Sequence, residues 1–382
     1  MSRQPARPAV VFLDRIPWQG FFDLAAALRE RGVRVERVTA EPARWQTRVH
    51  QSLESALFSR VSRYAVSWDG SGEALVPTDP HGVVALVRDD AVAIMAQEDL
   101  TAMCLTVTSG PASPARLVRD GVDPRVLVDK ILQTATAADI GVLVPSSWET
   151  CETSSYPVVV KPRKGFGGVG VRVVADEPEL LAAWDTVEAL GEQPFLQEYL
   201  PNAVNTGGVA LDGEVLVCVA YAPTPSPDKP TGPPRWVTVV DNPAALDSTA
   251  RFVDALGYTG FFCLDWVMDD PDAPRLIDFN PRVFGSWALV QELGVDLLGH
   301  YLHAIGLGPR PGARPLPFGA SAEQLVYPCP DVTSVAEVRE WRSDCLRLVR
   351  QRRGVLGARW SRVMRARIML STVHRMAMLR SA

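Results

Sequence analysis

Residues 156–175 read YPVVVKPRKGFGGVGVRVVA, and this stretch decides how the middle of the chain folds. YPVVVKP (156–162) and VGVRVVA (169–175) are β-branched runs joined by a glycine-rich link, the pattern of a hairpin. A dinucleotide-binding glycine loop joins a strand to a helix, whereas Gly165, Gly167, Gly168 and Gly170 lie between two strands. No G-K-[ST] ends the link, so it is not a Walker A loop either. Two readings remain. The link is a flap whose backbone N–H groups cover phosphates, since glycine leaves them unobstructed, or it is a plain turn beside a surface lysine. Lys161, on the strand that enters the link, is placed to reach phosphate oxygens.

A second informative stretch is CLDWVMDDPDAPRLIDFNPRVFGS (263–286). It reads as two strands, each carrying an acid. Asp278 and Asn280 are two residues apart and share one face of their strand, and a paired strand brings Asp265 beside them. Two carboxylates and an amide oxygen form a hard-oxygen set suited to Mg²⁺. Arg282 adds a planar cation for phosphate or carboxylate. The plainer alternative is a strand end closed by Asn-Pro turn chemistry.

Outward from these stretches the chain alternates strands and helices. PAVVFL (8–13), GFFDLAAALRER (20–31) and VRVERV (33–38) predict a βαβ start with a parallel sheet, and 81–97 predicts a further strand and helix. The Pro/Gly-bearing 109–115 suggests a boundary. Residues 124–140 predict a helix, closed by Gly141, and GVLVPSS a short strand. Further helices are expected near 177–190, over 243–256 and over 285–305, with strands at 260–268 and 274–279. Six prolines between 223 and 236 predict a semi-rigid loop, within which Arg235 is a candidate substrate clamp or a solvated side chain. The resulting division is an N-terminal α/β unit (1–115), a hairpin-bearing lobe (116–192), an acid-bearing lobe (193–307), and a linker with a helical basic extension (308–382).

The net charge of −5 over 382 residues gives no overall attraction for nucleic acid, but the charge is unevenly spread. Residues 337–380 carry about +9 against about −14 elsewhere. Packing of this tail on the acidic body is the favoured reading, with an anionic membrane surface or a partner as alternatives. Six dispersed cysteines without a C-x-x-C pair argue against zinc or a disulfide scaffold and fit a reducing cytoplasm. No secretory segment and no transmembrane helix are expected. His300 and His303 lie three apart on an expected helix, but without a third ligand a structural role outweighs a metal pair.

From about residue 116 to 307 the sequence resembles the ATP-grasp superfamily, in four segments taken in order: VDKILQTATAADIGVLVP, VVVKPRKGFGGVG, FLQEYLPN and LIDFNPRVFGS. NPRVFGSWALVQELGVDL is most similar to the carbamoyl-phosphate-synthase-like and biosynthetic branch. The resemblance implies an α/β and α+β ATP-grasp fold: an N-terminal βαβ unit, then two lobes enclosing ATP. It implies that Lys130 and Lys161 bind nucleotide, that the loop with Gly165, Phe166, Gly167 and Gly168 covers phosphates, and that Gln197, Glu198, Tyr199 and Leu200 form the adenine hinge. Asp265, Asp278 and Asn280 match the magnesium ligands (manganese as a substitute), and Arg282 matches a phosphate-contacting arginine, catalytic with Lys161. Two positions depart from the pattern. The central metal acid, often Glu, is Asp278, and the usual ribose-binding acid falls at Val204, with Asn202 and Asn205 as candidate replacements.

The implied activity is an ATP-dependent ligation in which a carboxylate becomes an acyl phosphate and an amine attacks it. A non-amine acceptor, a non-catalytic ATP-binding scaffold and, on the tail alone, a nucleic-acid-binding module are the alternatives.

Overall fold

The computed structural model describes residues 8–16, 18–41, 45–68, 75–77, 79–153, 155–165, 167–224, 236–324 and 334–381. The chain first forms Ala9–Asp14 (β1), Gln19–Glu30 (α1), Arg34–Ala40 (β2), Trp45–Ser55 (α2), Arg60–Tyr64 (β3), Val66–Trp68 (β4), Leu75–Pro77 (β5), Pro80–Ala85 (α3), Ala91–Ala96 (β6) and Glu98–Cys104 (α4). Strands β3-β2-β1-β6 make a parallel sheet, and β4 and β5 pair separately. Every residue of β1 is buried, which is why its sequence is a near-continuous apolar run rather than an alternating one. In the stretch 81–97 the helix precedes the strand, the reverse of the expected order.

Two short 3₁₀ turns, Pro114–Leu117 and Pro124–Leu127, lead into Lys130–Asp139 (α5). The side chain of Asp129 caps α5 by accepting from the amides of Ile131 and Leu132. The expected strand at GVLVPSS contracts to Ser147–Trp148 (β7). Val158–Pro162 (β8), Arg172–Val174 (β9), Glu177–Ala189 (α6) and Pro194–Glu198 (β10) follow. The hairpin β8–β9 sits in an antiparallel sheet of order β7-β10-β8-β9. Residues 194–198, which the sequence reading groups with the following lobe, thus pair with this one.

The third unit runs Asn202–Leu211 (β11), Glu214–Thr224 (β12), Trp236–Val239 (β13), Pro243–Leu256 (α7), Gly260–Met268 (β14), Arg275–Asn280 (β15), Trp287–Glu292 (α8), Leu297–Ala304 (α9), Ser321–Glu323 (β16) and Val335–Ser381 (α10). Its antiparallel sheet has the order β15-β14-β11-β12-β13-β16. Gly207, inside β11, is there for space: a Cβ would stand 2.6 Å from the Phe284 ring. The single helix expected over 285–305 is two, broken where Gly294 takes φ +99° and Asp296 caps the second.

The tail packs on the body. Helix α10 breaks at Gly357 (φ 85°, ψ 168°), a conformation open essentially to glycine alone, and a Cβ there would overlap Glu30 of α1. Trp360, Met364 and Ile368 are buried in the same core as Phe21 and Phe22. The indole Nε1 of Trp360 donates to Asp23 at 2.5 Å. Arg367 pairs with buried Glu54 at 3.1 Å, and Glu54 with Arg37, whose guanidinium also holds Asp14 at 2.7 Å. Arg352 pairs with Glu292 of α8 at 3.1 Å. Among the described residues no helix is long and apolar enough to cross a membrane.

Replacing Trp360 by Ala deletes a fully buried indole and takes from Asp23 one of its two donors, leaving Gln19. Stability should fall by about 3–5 kcal/mol, read by urea unfolding. Unfolding at the wild-type midpoint would show that α10 is not part of the core.

Candidate functional site

The site forms where the edge strand of the large sheet meets the small sheet. In the register of β14 and β15, Asp265 stands directly opposite Asp278, so the two carboxylates share one face. A bulge follows Asp265. Gln133 of α5 caps the outer edge of β15, its amide accepting from Phe279 N at 3.0 Å and donating to Phe279 O at 3.1 Å. From the small sheet, Lys161 of β8 donates to the carbonyl of Ile277 on β15 at 3.0 Å and lies over the Phe195 ring. Lys130, at the start of α5, pairs with Asp278 at 3.3 Å and donates to Gly165 O at 3.0 Å. One ammonium thus connects the glycine loop to the acid pair.

A cavity of about 300 Å³ lies between these parts. Lys130, Lys161, Asp265 and Asp278 line one end, and Gly165, Gly167 and Gly168 cover it. Gln197 to Leu200 line it too, together with Val173 and Ile277. Glu198 ends β10, so Tyr199 and Leu200 lie beyond the sheet ladder. Gln197 is buried and its Nε2 has no hydrogen-bond partner, an orphan donor in the cavity wall of a kind that calls for a ligand or water. Gly170 has φ +74°, and a Cβ there would press on Leu190 at 3.3 Å. Phe166 and Arg235 lie outside the described residues.

Burial brings the Lys161 ammonium down to about 7, with Asp278 opposing and Lys130 adding to the fall. Burial, then the charge of Asp278, pushes the Asp265 carboxyl up to about 7, with Arg282 and both lysines opposing. Asp265 also accepts from the amide of Asn205. The cleft thus holds two cations and two acids at a proton balance that a bound anion or cation would tip.

Three sequence-based expectations change here. Arg282 does not line the cavity: its guanidinium is committed to Glu98, at 2.7 and 2.5 Å, and to the carbonyl of Val283, and it stacks on Trp18. Asn280 lies behind the acids, its Nδ2 donating to Asp265 at 3.4 Å and its Oδ1 accepting from Arg282 at 3.3 Å. Val204 is buried among apolar neighbours, so it cannot stand in for a ribose-binding acid; Asn205 is engaged with Asp265, and Asn202 is exposed at the start of β11.

Sequence reasoning missed Glu98 and Gln133. Glu98 follows the C-terminal end of a parallel strand, where ligand-facing residues of α/β sheets concentrate, so a signal for it was present. Gln133 in mid-helix carried none.

Among the described residues no group of three His, Cys, Asp or Glu side chains gathers to hold a metal. The paired carboxylates supply hard oxygens but not a full shell, which suits a cation sharing its coordination with phosphates and water.

Residues 127–286 match the ATP-grasp domain family. The chain is 24% identical over 293 residues to the N-terminal section of the carbamoyl phosphate synthase large chain of Methanopyrus kandleri, covering 70% of this chain and 49% of that one. It is 26% identical over 173 residues to the D-alanine–D-alanine ligase of Pseudomonas entomophila, covering 40% and 54%. The chain thus spans about half the length of each. Among solved structures, the carboxyaminoimidazole ribonucleotide synthase of Aspergillus clavatus complexed with ATP superposes with a TM-score of 0.60 at 14% identity, covering 80% of this chain and 78% of that one. The fold is therefore the ATP-grasp fold.

Sulfate, whose own charge is constant above neutrality, should report the cleft's charge. Its affinity should fall as pH rises through about 7, because Lys161 loses its proton and Asp265 gains charge, and both changes repel an anion. Lys161→Ala should weaken binding strongly, and Lys164→Ala, exposed in the loop, only slightly. Affinity independent of pH, or equal small effects of the two variants, would remove Lys161 from the site.

Proposed function

The chain carries an ATP-grasp domain over residues 127–286, and on that premise we propose that it is an ATP-dependent ligase joining a carboxylate to an amine, releasing ADP and phosphate. The observation that carries the reading is the convergence of Lys130, Lys161, the glycine loop, residues 197–200, Asp265 and Asp278 on one cavity between two sheets. The hinge segment holds the adenine edge through backbone groups beyond the β10 ladder. Lys130 and Lys161 take the phosphates, and phosphate charge favours the protonated form of Lys161 that burial disfavours. The loop amides at Gly167 and Gly168 cover the transferring group.

Asp265 and Asp278 would hold Mg²⁺, which when bound neutralises charge on the phosphates. Asn280, held by Arg282 through its Oδ1, orients Asp265 through its Nδ2. The paired lysines lower the cost of charge as the substrate carboxylate attacks the terminal phosphorus, and the closed loop keeps water from the acyl phosphate. Arg282, bound to Glu98, fixes α4 of the first unit against the acid-bearing strand and is a positioning residue.

The activity is testable by ADP release from Mg·ATP against pooled carboxylates and amines, with product masses. Asp278→Asn removes one carboxylate and leaves Lys130 without its counter-ion. Turnover should drop by at least about 10²-fold, while magnesium-free nucleotide binding changes little. Wild-type turnover in this variant would contradict the assigned role.

A further inference from the structure

A second cavity, of about 480 Å³, lies on the other side of the glycine loop. Pro162, Gly165 and Val169 line both cavities, so the loop is their common wall. The opposite wall comes from the first unit: Arg15 and Ile16 beyond β1, and Glu98, Asp99 and Ala102 on α4.

Its charged groups are unequally satisfied. Arg15 is paired with Asp99 Oδ2 at 2.9 Å, and Glu98 receives Arg282 twice through Oε1. Lys164 also lines the cavity, beside Glu192, and these pairings still leave acceptors over. Glu98 Oε2 and Asp99 Oδ1 are buried without a hydrogen-bond partner, and Glu98 as a whole is 6% exposed. Neighbouring carboxylates that each keep one buried oxygen without a donor favour a cation and disfavour an anion. Burial raises the Asp99 carboxyl above its ordinary value, Arg15 opposing and Glu98 adding to the rise, so a cation entering there relieves a standing electrostatic cost. Apart from Lys164 and Glu192, the rest of the lining is apolar: Ile16, Ala102, Val128 and Leu190 beside the loop residues.

Resting on the ligase reading, we propose that this cavity seats the acceptor substrate, a primary ammonium on a small apolar body, with Glu98 and Asp99 as its counter-ions. The position agrees with the sequence of events. The carboxylate is activated under the glycine loop, and the ammonium is held next to the residue that binds Arg282; it passes a proton to Asp99 before its nitrogen attacks the acyl carbon and phosphate leaves. A carboxylate substrate is the poorer occupant, because it would meet the two unsatisfied acid oxygens.

The test uses the full chain with Mg·ATP, the carboxylate identified by ADP release, and two acceptors. Hydroxylamine, uncharged at neutral pH, traps an acyl phosphate as a hydroxamate and reports activation alone. L-Leucine amide, with a free α-amine and an apolar side chain, probes the cavity. Asp99→Asn should raise the KM for leucine amide about tenfold or more, with hydroxamate formation and the KM for ATP within about twofold of wild type. Ala102→Leu keeps every charge and fills the space, so it should raise the same KM without disturbing Arg15. Unchanged leucine amide kinetics in either folded variant would overturn the proposal. So would a wild-type chain that forms hydroxamate but no leucine amide product. Absence of hydroxamate from the wild type with every carboxylate would refute the ligase reading, and this proposal with it.

Discussion

Two carboxylates forced together by strand register are the constraint on which the site depends. Asp265 and Asp278 face each other across β14 and β15, and like charges so close inside protein are unfavourable unless cations answer them. Lys130 answers Asp278 directly. Lys161 is anchored to the carbonyl of the residue before Asp278. The consequences spread outward. The small sheet must lie against the edge of the large one for Lys161 to reach β15. Helix α5 must start beside the glycine loop for Lys130 to touch both. Gln133 must cap Phe279 on a strand edge where Leu276 already bonds the carbonyl of Leu143.

The first unit is bound into this arrangement from two directions. At the site, Arg282 leaves the acid-bearing strand to form a buried pair with Glu98 on α4. A pair of this kind adds little net stability, yet breaking it strands a charge, so it fixes how two units sit. At the back, α10 covers α1 and continues the buried series Asp14, Arg37, Glu54 and Arg367. The arginine-rich character of the tail thus has a physical account in part: some of its cations are counter-ions for buried acids, and its Trp and Met residues complete a core.

The sequence made the two antiparallel lobes legible because their chemistry is local. The lysine-to-glycine-loop order and the acid-x-Asn pair each lie within about a dozen residues, and strand alternation alone puts Asp278 and Asn280 on one face. What stayed hidden was long-range. That Arg282 would be captured by Glu98, 184 positions away, follows only once the units are packed. The helix expected over 285–305 is broken at Gly294, whose positive φ overrides the apolar periodicity on either side. Asn205, weighed as a ribose contact, goes instead to Asp265, because β11 pairs with β14 in a register that sets the two residues opposite each other.

The account's central claim is that the substrate carboxylate itself attacks the terminal phosphorus in this cleft. The direct measurement is oxygen transfer. With the carboxylate labelled in both oxygens by ¹⁸O, the phosphate released alongside the amide should carry one labelled oxygen, seen as a shifted ³¹P resonance. Unlabelled phosphate, or label appearing in AMP, would contradict the account.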